Sequence, residues 1–266
     1  MRYLTAPMED HTDAAFRTLC YSHGADATFT EMSWLAALCR KIPVTLARVD
    51  IKDNTPTYIQ FIGSNEQELE QYLSFFKPQP GFLGFNLNLG CPSPAVIKEG
   101  LGCAMMKRTA KVARMGKIIQ SVGYSFSLKI RLGLNKSEKD AKVYLNLING
   151  VDADFIVVHA RHGGQNYGNA PDFSAYPECV ATGRQIYANG DISTAGQIKE
   201  LEEIGIKGVM IGRAATTDPA IFDKLKGKPA PTKKELLDEY LKLADSYGSG
   251  PKYRQHMMKR LGDKAP

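Results

Sequence analysis

Short apolar runs alternate with longer segments of helical period along almost the whole chain. The short runs are rich in β-branched residues and end in turn-forming residues, which predicts β-strands. Eight strands are predicted, at residues 2–8, 25–30, 57–62, 82–88, 125–132, 155–160, 185–189 and 208–212. Strands that alternate with helices are typical of an α/β fold with a parallel sheet.

The helical segments carry start signals. Residues 64–67 and 194–197 each have the form of a capping box, in which two side chains satisfy free N–H groups of the first turn. Asp218 and Pro219 are suited to the N-cap and first turn of a later helix. Apolar residues recur at intervals of three and four after the first box, so we predict a helix face that packs on the sheet.

Eight strands with intervening helices predict a closed (β/α)8 TIM barrel, for which 266 residues are sufficient. A doubly wound open sheet is the alternative, but its first turn is normally glycine-rich, and residues 8–13 contain no glycine. The Gly/Pro-rich segment 227–231 predicts a boundary near residue 228. We therefore expect a barrel over residues 1–228 and a short helical, basic C-terminal region over residues 229–266.

The net charge of +6 is concentrated in the C-terminal region. Residues 226–266 contain ten Lys and Arg against five Asp and Glu, whereas residues 1–225 are nearly neutral. Such a segment suits a polyanion, although a solvated helix face would show the same composition. The pattern predicts one amphipathic helix here and a second, strongly basic helix over residues 252–260.

The remaining composition narrows the setting. The five cysteines show no paired spacing and no signal-peptide pattern is present, which predicts a reducing cytoplasm. No apolar run approaches the roughly 20 residues of a membrane span. The five histidines are dispersed, so no metal site is expected.

Polar side chains collect where the predicted strands end, and in a TIM barrel that edge forms the active site. Lys129 and Arg131 share one strand face, and a lysine inside a barrel needs an anion or an acceptor. The turns at 189–191 and 212–213 occupy positions where barrels bind phosphate. Together they predict a phosphorylated, partly anionic cofactor. His159 could join this site or be an ordinary hydrogen-bonded core histidine.

The turn after the fourth predicted strand carries a thiol. In the segment 86–92, glycine and proline place Cys91 beyond the strand end. From these residues alone, catalysis and packing are nearly balanced, because cysteine is often buried. A Cys-His hydrolase built on Cys91 and His159 is a rival interpretation, but it leaves Lys129 and Gln60 without a role.

An ordered series of motifs resembles the dihydrouridine synthase family, flavoenzymes that reduce uridine in transfer RNA. The motifs cover about residues 5–220 and are Ala6-Pro-Met8, Thr30-Glu-Met32, Asn88-Leu-Gly-Cys-Pro92, Lys129-Ile-Arg-Leu-Gly133, His159-Ala-Arg161, Asn189-Gly-Asp191 and Gly212-Arg213. Each motif alone is weakly specific, whereas their common order is specific.

The resemblance implies a flavoprotein that binds FMN and is re-reduced by NADPH or NADH. The cofactor contacts that it implies are Pro7, Met8, Gln60, Lys129, His159, Asn189, Gly190, Asp191, Gly212 and Arg213. It also implies that Asn88, Arg131 and Arg161 face the uracil, and that Cys91 donates a proton to C5 after hydride reaches C6. A thiol suits that role, since a reference pKa of about 8.5 leaves it mostly protonated at neutral pH.

Transfer RNA is then the expected partner, and the expected phosphate contacts are Lys252, Arg254, Lys259 and Arg260. Cys103 stands where the resemblance leads us to expect a small residue, and we interpret it as packing. Two alternatives stay open. A dihydroorotate dehydrogenase-like FMN barrel would act on a free pyrimidine, and a barrel that binds RNA without catalysis would have kept the shape alone.

Overall fold

The computed structural model describes residues 1–262 and forms a parallel β-barrel surrounded by helices. Within these residues the strands are β1 (Arg2–Thr5), β2 (Thr28–Phe29), β3 (Ser33–Trp34), β4 (Thr57–Ile62), β5 (Phe82–Leu89), β6 (Phe126–Ile130), β7 (Phe155–His159), β8 (Ile186–Asn189) and β9 (Gly208–Ile211). Neighbouring strands pair in parallel in the order β1-β9-β8-β7-β6-β5-β4-β2.

The ring closes between β1 and the residues that precede β2. Asp26 N donates to Tyr3 O over 2.7 Å, and Thr5 N donates to Ala27 O over 3.1 Å. These bonds join the first strand to the last position of the sheet order, so no edge is left open there. The prediction of a (β/α)8 TIM barrel is confirmed.

The second barrel position is split, whereas the sequence predicted one strand over residues 25–30. Both β2 and β3 pair with β4, with Phe29 opposite Tyr58 and Ser33 opposite Phe61. Between these two pairs the β2–β3 segment contains one more residue than β4, which is the definition of a β-bulge. At the bulge Thr30 Oγ1 accepts from Gln60 N over 3.0 Å, so a side chain replaces a backbone acceptor and the strand is interrupted.

Helices cover the outside of the barrel between the strands. They are α1 (Ala14–Ser22), α2 (Leu35–Cys39), α3 (Pro43–Arg48), α4 (Glu66–Phe75), α5 (Pro94–Lys98), α6 (Thr109–Ser121), α7 (Lys136–Asp140), α8 (Val143–Gly150), α9 (Tyr176–Val180), α10 (Ala195–Ile204), α11 (Arg213–Thr217), α12 (Ile221–Leu225), α13 (Lys233–Tyr247) and α14 (Pro251–Leu261). Two 3-10 turns lie at Gly102–Met105 and Phe173–Ala175.

Of the three predicted helix starts, one is confirmed and two are wrong. The capping box at Thr194 is present at the start of α10. The box at 64–67 was wrong, because Asn65 is itself a strong N-cap and α4 begins one residue later. Asp218 does not cap α12, which begins at Ile221. Its carboxylate accepts from Lys224 Nζ over 2.6 Å instead.

The barrel interior changes character along its axis. Phe29 stacks on Tyr58 at 5.1 Å, Tyr58 meets Phe155 edge-on at 5.2 Å, and Phe155 stacks on Tyr187 at 4.7 Å. These rings fill the amino-terminal half of the barrel, so that end is closed by apolar packing. Nearer the carboxyl ends of the same strands, the inward residues Gln60, His159 and Asn189 are polar, and the site forms above the aromatic plug.

Helices α13 and α14 fold back onto the barrel. Tyr240 donates to Asp13 Oδ2 over 3.2 Å, and Tyr253 donates to Glu31 Oε2 over 2.7 Å. These contacts place the basic C-terminal region against the turns that follow β1 and β2. The part of this region that the structure describes ends at residue 262, so residues 263–266 lie outside it. Across residues 1–262, no helix is both long and apolar enough to cross a membrane.

Candidate active site

A cavity of about 360 Å³ opens at the carboxyl ends of the strands. The predicted cofactor contacts in its wall are Pro7, Met8, Lys129, His159, Asn189, Gly190, Asp191, Gly212 and Arg213. Tyr167, Ser193 and Thr217 also line it, and the sequence analysis did not single them out. Within residues 1–262, no three His, Cys, Asp or Glu side chains are grouped to hold a metal ion.

Gln60 lies beneath this cavity in a buried ladder of amides. Gln60 Nε2 donates to Asn86 Oδ1 over 2.7 Å, and its Oε1 accepts from Asn88 Nδ2 over 2.9 Å. Asn86 Nδ2 in turn donates to Ser127 Oγ over 2.9 Å. Sequence reasoning missed Asn86 and Ser127, although the period of two puts them on the inward face with Asn88 and Lys129.

Lys129 is a half-buried cation without a counter-ion among the described residues. Its Nζ donates to Asn189 Oδ1 over 3.0 Å, and Asn189 Nδ2 donates to Met210 O over 2.8 Å, which fixes the amide orientation. No carboxylate among residues 1–262 pairs with it. Burial, assisted by Arg131, lowers the pKa of Lys129 to about 8. A bound anion would supply the missing charge.

His159 is neutral in this environment. Burial lowers its pKa to about 2, with further contributions from the charges of Lys129 and Arg131. Arg161 Nη1 lies 3.2 Å from His159 Nε2, and a guanidinium can only donate. Nε2 is therefore the acceptor, and the ring proton is on Nδ1. The ring can donate a hydrogen bond but is not a proton source at neutral pH.

Among residues 1–262, Asp191 is the one carboxylate that lines the cavity. Burial alone would raise its pKa, but hydrogen bonds from Arg161 and Arg213 lower it below the usual value. Gly190, which precedes it, has φ +127° and brings the chain close to His159. The wall thus presents an excess of positive charge from Lys129 and Arg213 that suits a phosphate group.

The loop after β7 is tied down by two arginines predicted to face the substrate. Arg131 Nη1 donates to His162 O over 2.9 Å and to Gln165 O over 3.1 Å, and Arg161 Nε donates to Asn169 O over 2.7 Å. Both arginines are buried, at 5% and 1% exposure. Their contact with a substrate stays a prediction, since the guanidinium groups here hold the loop.

Tyr167 is the residue that this loop adds to the cavity. Its ring is nearly parallel to that of His159 at 6.5 Å, and the guanidinium carbon of Arg213 lies 4.2 Å from its centroid. The residues next to Tyr167 in the sequence do not predict this position, because it depends on the hydrogen bonds from Arg131 and Arg161 that hold the loop.

Three hydrogen bonds hold the turn that carries Cys91. Asn88 Oδ1 accepts from Gly90 N over 3.0 Å and from Cys91 N over 2.9 Å, and Cys103 N donates to Cys91 O over 3.1 Å. Gly102 has φ +57°, and a Cβ there would lie 2.4 Å from Cys91 O. Cys91 is therefore a half-buried thiol on a rigid turn.

Cys103 differs from Cys91 in its surroundings. Its side chain is fully buried, and burial raises the pKa of its thiol to about 12. A thiol with such a pKa stays neutral and is a poor nucleophile. These properties agree with the interpretation of Cys103 as a packing residue.

The four basic residues of α14 do not line the cavity, and Lys252 and Arg260 lie beside the turn after β1. Lys252 pairs with Asp10 at 2.6 Å, and Arg254 pairs with Asp245 at 2.5 Å. Lys259 is exposed, and its ammonium has no partner within the described part of the chain. RNA contact by these side chains, and by Arg260, stays a prediction.

Comparisons with known proteins agree on one family. The sequence profile of the dihydrouridine synthase family matches residues 4–263. A probable tRNA-dihydrouridine synthase of Aquifex aeolicus is 31% identical over 234 residues, covering 85% of this chain and 72% of that protein. Probable tRNA-dihydrouridine synthase 2 of Bacillus subtilis is 29% identical over 259 residues, covering 92% of this chain and 78% of that protein. The solved structure of morphinone reductase shares the fold, with a TM-score of 0.59 at 9% identity over 90% of this chain and 88% of that one.

Proposed function

Because the chain belongs to the dihydrouridine synthase family, we propose that it is a tRNA-dihydrouridine synthase, which reduces the C5=C6 bond of a uridine in tRNA. The observation that carries this proposal is that one barrel holds both a half-buried Lys129 without a counter-ion among the described residues, in the cavity wall, and a rigidly held thiol on the turn after β5. The first suits an anionic cofactor and the second suits proton donation. The cytoplasmic location expected from cysteine usage stays a prediction.

We propose FMN as the cofactor and NADPH or NADH as its reductant. The residues present fit FMN, because Lys129 lacks an anion and the turns at Gly190 and Gly212 bring the backbone and Arg213 to the cavity wall. When bound, FMN supplies the hydride that is added to C6 of the uracil. Lys129 would stabilise negative charge at the polar edge of the ring.

The other cofactor contacts have separate tasks. Pro7 and Met8 would back the ring, and His159 would donate a hydrogen bond from Nδ1. Asp191 would keep Arg213 oriented toward the phosphate, since their carboxylate and guanidinium are already bonded. Gln60 would act from below, through the amide of Asn88.

Cys91 is proposed as the proton donor to C5. A neutral thiol can give up a proton, and the resulting thiolate is reprotonated from solvent. Asn88 positions the thiol, because its Oδ1 accepts the N–H groups of Gly90 and Cys91. Arg131 and Arg161 are proposed base contacts that also hold the loop after β7.

The uridine has to leave its base stack to reach the cavity. We propose that Lys252, Arg254, Lys259 and Arg260 face the tRNA backbone and contribute to its binding. Lys259 is the residue whose charge is uncommitted within the described part of the chain, so we expect the largest share from it.

Substitution of Cys91 tests the proposed chemistry. In Cys91→Ala, we expect FMN to stay bound and NADPH oxidation in air to continue, while dihydrouridine formation in tRNA falls by roughly a hundredfold or more. Mass spectrometry of the tRNA and absorbance of the bound flavin measure the two effects. Cys103→Ala is the matched control and should retain both.

Unchanged tRNA turnover in Cys91→Ala would remove Cys91 from the mechanism. A wild-type protein that reduces a free pyrimidine but leaves tRNA unmodified would favour a dihydroorotate dehydrogenase-like activity instead. A purified protein that binds tRNA and takes up no flavin would favour RNA binding without catalysis.

A further inference from the structure

Arg260 of helix α14 contacts two elements that carry residues of the cavity wall. Arg260 Nη1 donates to Thr216 Oγ1 over 2.8 Å, and Arg260 Nη2 lies 3.5 Å from His11 Nε2. Thr216 belongs to α11, and His11 belongs to the turn after β1. One side chain of the C-terminal region thus contacts both helix α11 and the turn after β1.

The contact with Thr216 continues to Arg213. Thr216 is fully buried, and its Oγ1 donates to Arg213 O over 2.9 Å. A hydroxyl has a single proton, so Arg260 has to be the donor in the other bond. A directed chain of two hydrogen bonds therefore runs from Arg260 through Thr216 to Arg213, which lines the cavity.

The contact with His11 continues to Met8. His11 N donates to Met8 O over 3.1 Å, and Met8 also lines the cavity. Met8 Sδ lies 3.2 Å from the point where a Cβ on Gly212 would be, so the two turns meet at the wall. Arg260 braces this junction from outside.

We propose that Arg260 is a positioning residue for the flavin site, acting chiefly at its phosphate end on Arg213 through Thr216, and also on Met8 through His11. This inference rests on the proposed function, and it gives α14 a task in cofactor binding besides RNA contact. Lys259 precedes Arg260 in the same helix, yet it is exposed and does not reach either turn.

The state of His11 supports this arrangement. Burial lowers the pKa of His11 to about 4, with the charge of Arg260 as the next contribution. The neutral ring can accept a hydrogen bond from the guanidinium, whereas a charged ring would repel it.

The test compares FMN with riboflavin, which lacks the phosphate. Affinities of the flavin-free protein for both are measured by quenching of flavin fluorescence. In Arg260→Ala, the ratio of FMN affinity to riboflavin affinity should fall on the order of tenfold, since Arg213 loses its brace. Thr216→Val should give a similar fall, and the double variant should lose little more, because both residues act in one chain.

Two further variants sharpen the result. Arg260→Lys should restore part of the ratio, because an ammonium can still donate to Thr216 Oγ1. Lys259→Ala removes the same charge from the same helix and should leave the ratio unchanged. If Arg260→Ala unfolds, as circular dichroism would show, Arg260→Lys and Thr216→Val decide the question.

A wild-type ratio in Arg260→Ala, with only tRNA affinity reduced, would overturn the inference and make Arg260 an RNA contact. An equal fall in Lys259→Ala would overturn it too, since the effect would then be one of general charge. A wild-type protein that binds neither flavin would overturn the proposed function, and this inference with it, before any variant is made.

Discussion

At the scale of single residues, the site is built on charges that the barrel holds in unusual states. Lys129 is half-buried with an amide as its partner, and His159 is neutral because of burial and the nearby cations. Both states follow from inward strand positions that alternate with core residues. The result is a cavity with a fixed positive charge that suits an anionic ligand.

The pKa of Lys129 predicts a pH dependence of cofactor binding. Since it is lowered to about 8, the side chain loses its charge as pH rises through that value, and FMN affinity should weaken above pH 8. The same shift acts oppositely on folding. The unfolded chain holds more protons between about pH 8 and 10.5, so the contribution of Lys129 to stability rises with pH there.

Fluorescence titration of the flavin-free protein between about pH 6.5 and 9.5 measures the first effect. Lys129→Met should bind FMN more weakly and without the change near pH 8. Wild-type affinity that stays constant across this range would contradict the assignment of Lys129 as the cofactor cation.

At the scale of elements, the proposed proton donor Cys91 is positioned by turns and not by a helix. The turn after β5 is defined by Asn88 from one side and by the 3-10 turn at Gly102–Met105 from the other. Gly102 permits this close approach because it lacks a side chain and has a positive φ. The position of the Cys91 thiol therefore depends on a residue eleven places further along the chain.

Gly102→Ala should displace this turn. A Cβ would lie 2.4 Å from Cys91 O, so dihydrouridine formation should fall at least tenfold while FMN binding is kept. Gly123→Ala is the matched control, because Gly123 also has a positive φ, +84°, but nothing lies within 4 Å of its Cβ position. It should lose only about 1 kcal/mol of unfolding free energy and keep its activity. Equal activity losses in the two variants would show that backbone strain, and not the contact with Cys91, is responsible.

The sequence predicted the strands well because their apolar period is a local signal. It put Lys129 and Arg131 on one strand face, and in the structure Lys129 lies opposite Asn88. It failed where long-range contacts decide. Tyr167 enters the cavity only because distant arginines hold its loop, and β2 is split by a side chain that bonds across to Gln60.

At the scale of the whole molecule, part of the positive charge of α14 is paired with acidic side chains of this chain. Lys252 and Arg254 pair with acidic residues of this chain, while Lys259 points to no partner within residues 1–262. Composition alone could not divide the charge in this way. The divided charge predicts that the basic residues differ in their importance for RNA.

Salt titrations of tRNA binding can measure this difference. In Lys259→Ala, the slope of log affinity against log salt should become shallower by roughly 0.7 to 0.9, as expected for one lost phosphate contact. In Arg254→Ala the slope should change less, because this guanidinium already donates to Asp245 and to Ser249 O. Equal slope changes in the two variants would contradict the division of charge.

The contact between His11 and Arg260 joins residues 249 positions apart in the chain. Contacts of such separation form late, because the intervening chain has to be ordered first. During translation, the turn after β1 therefore lacks its contact with Arg260 until α14 has left the ribosome. A chain that ends before α14 would lack this brace, so its preference for FMN over riboflavin should be weaker than that of the chain that contains α14.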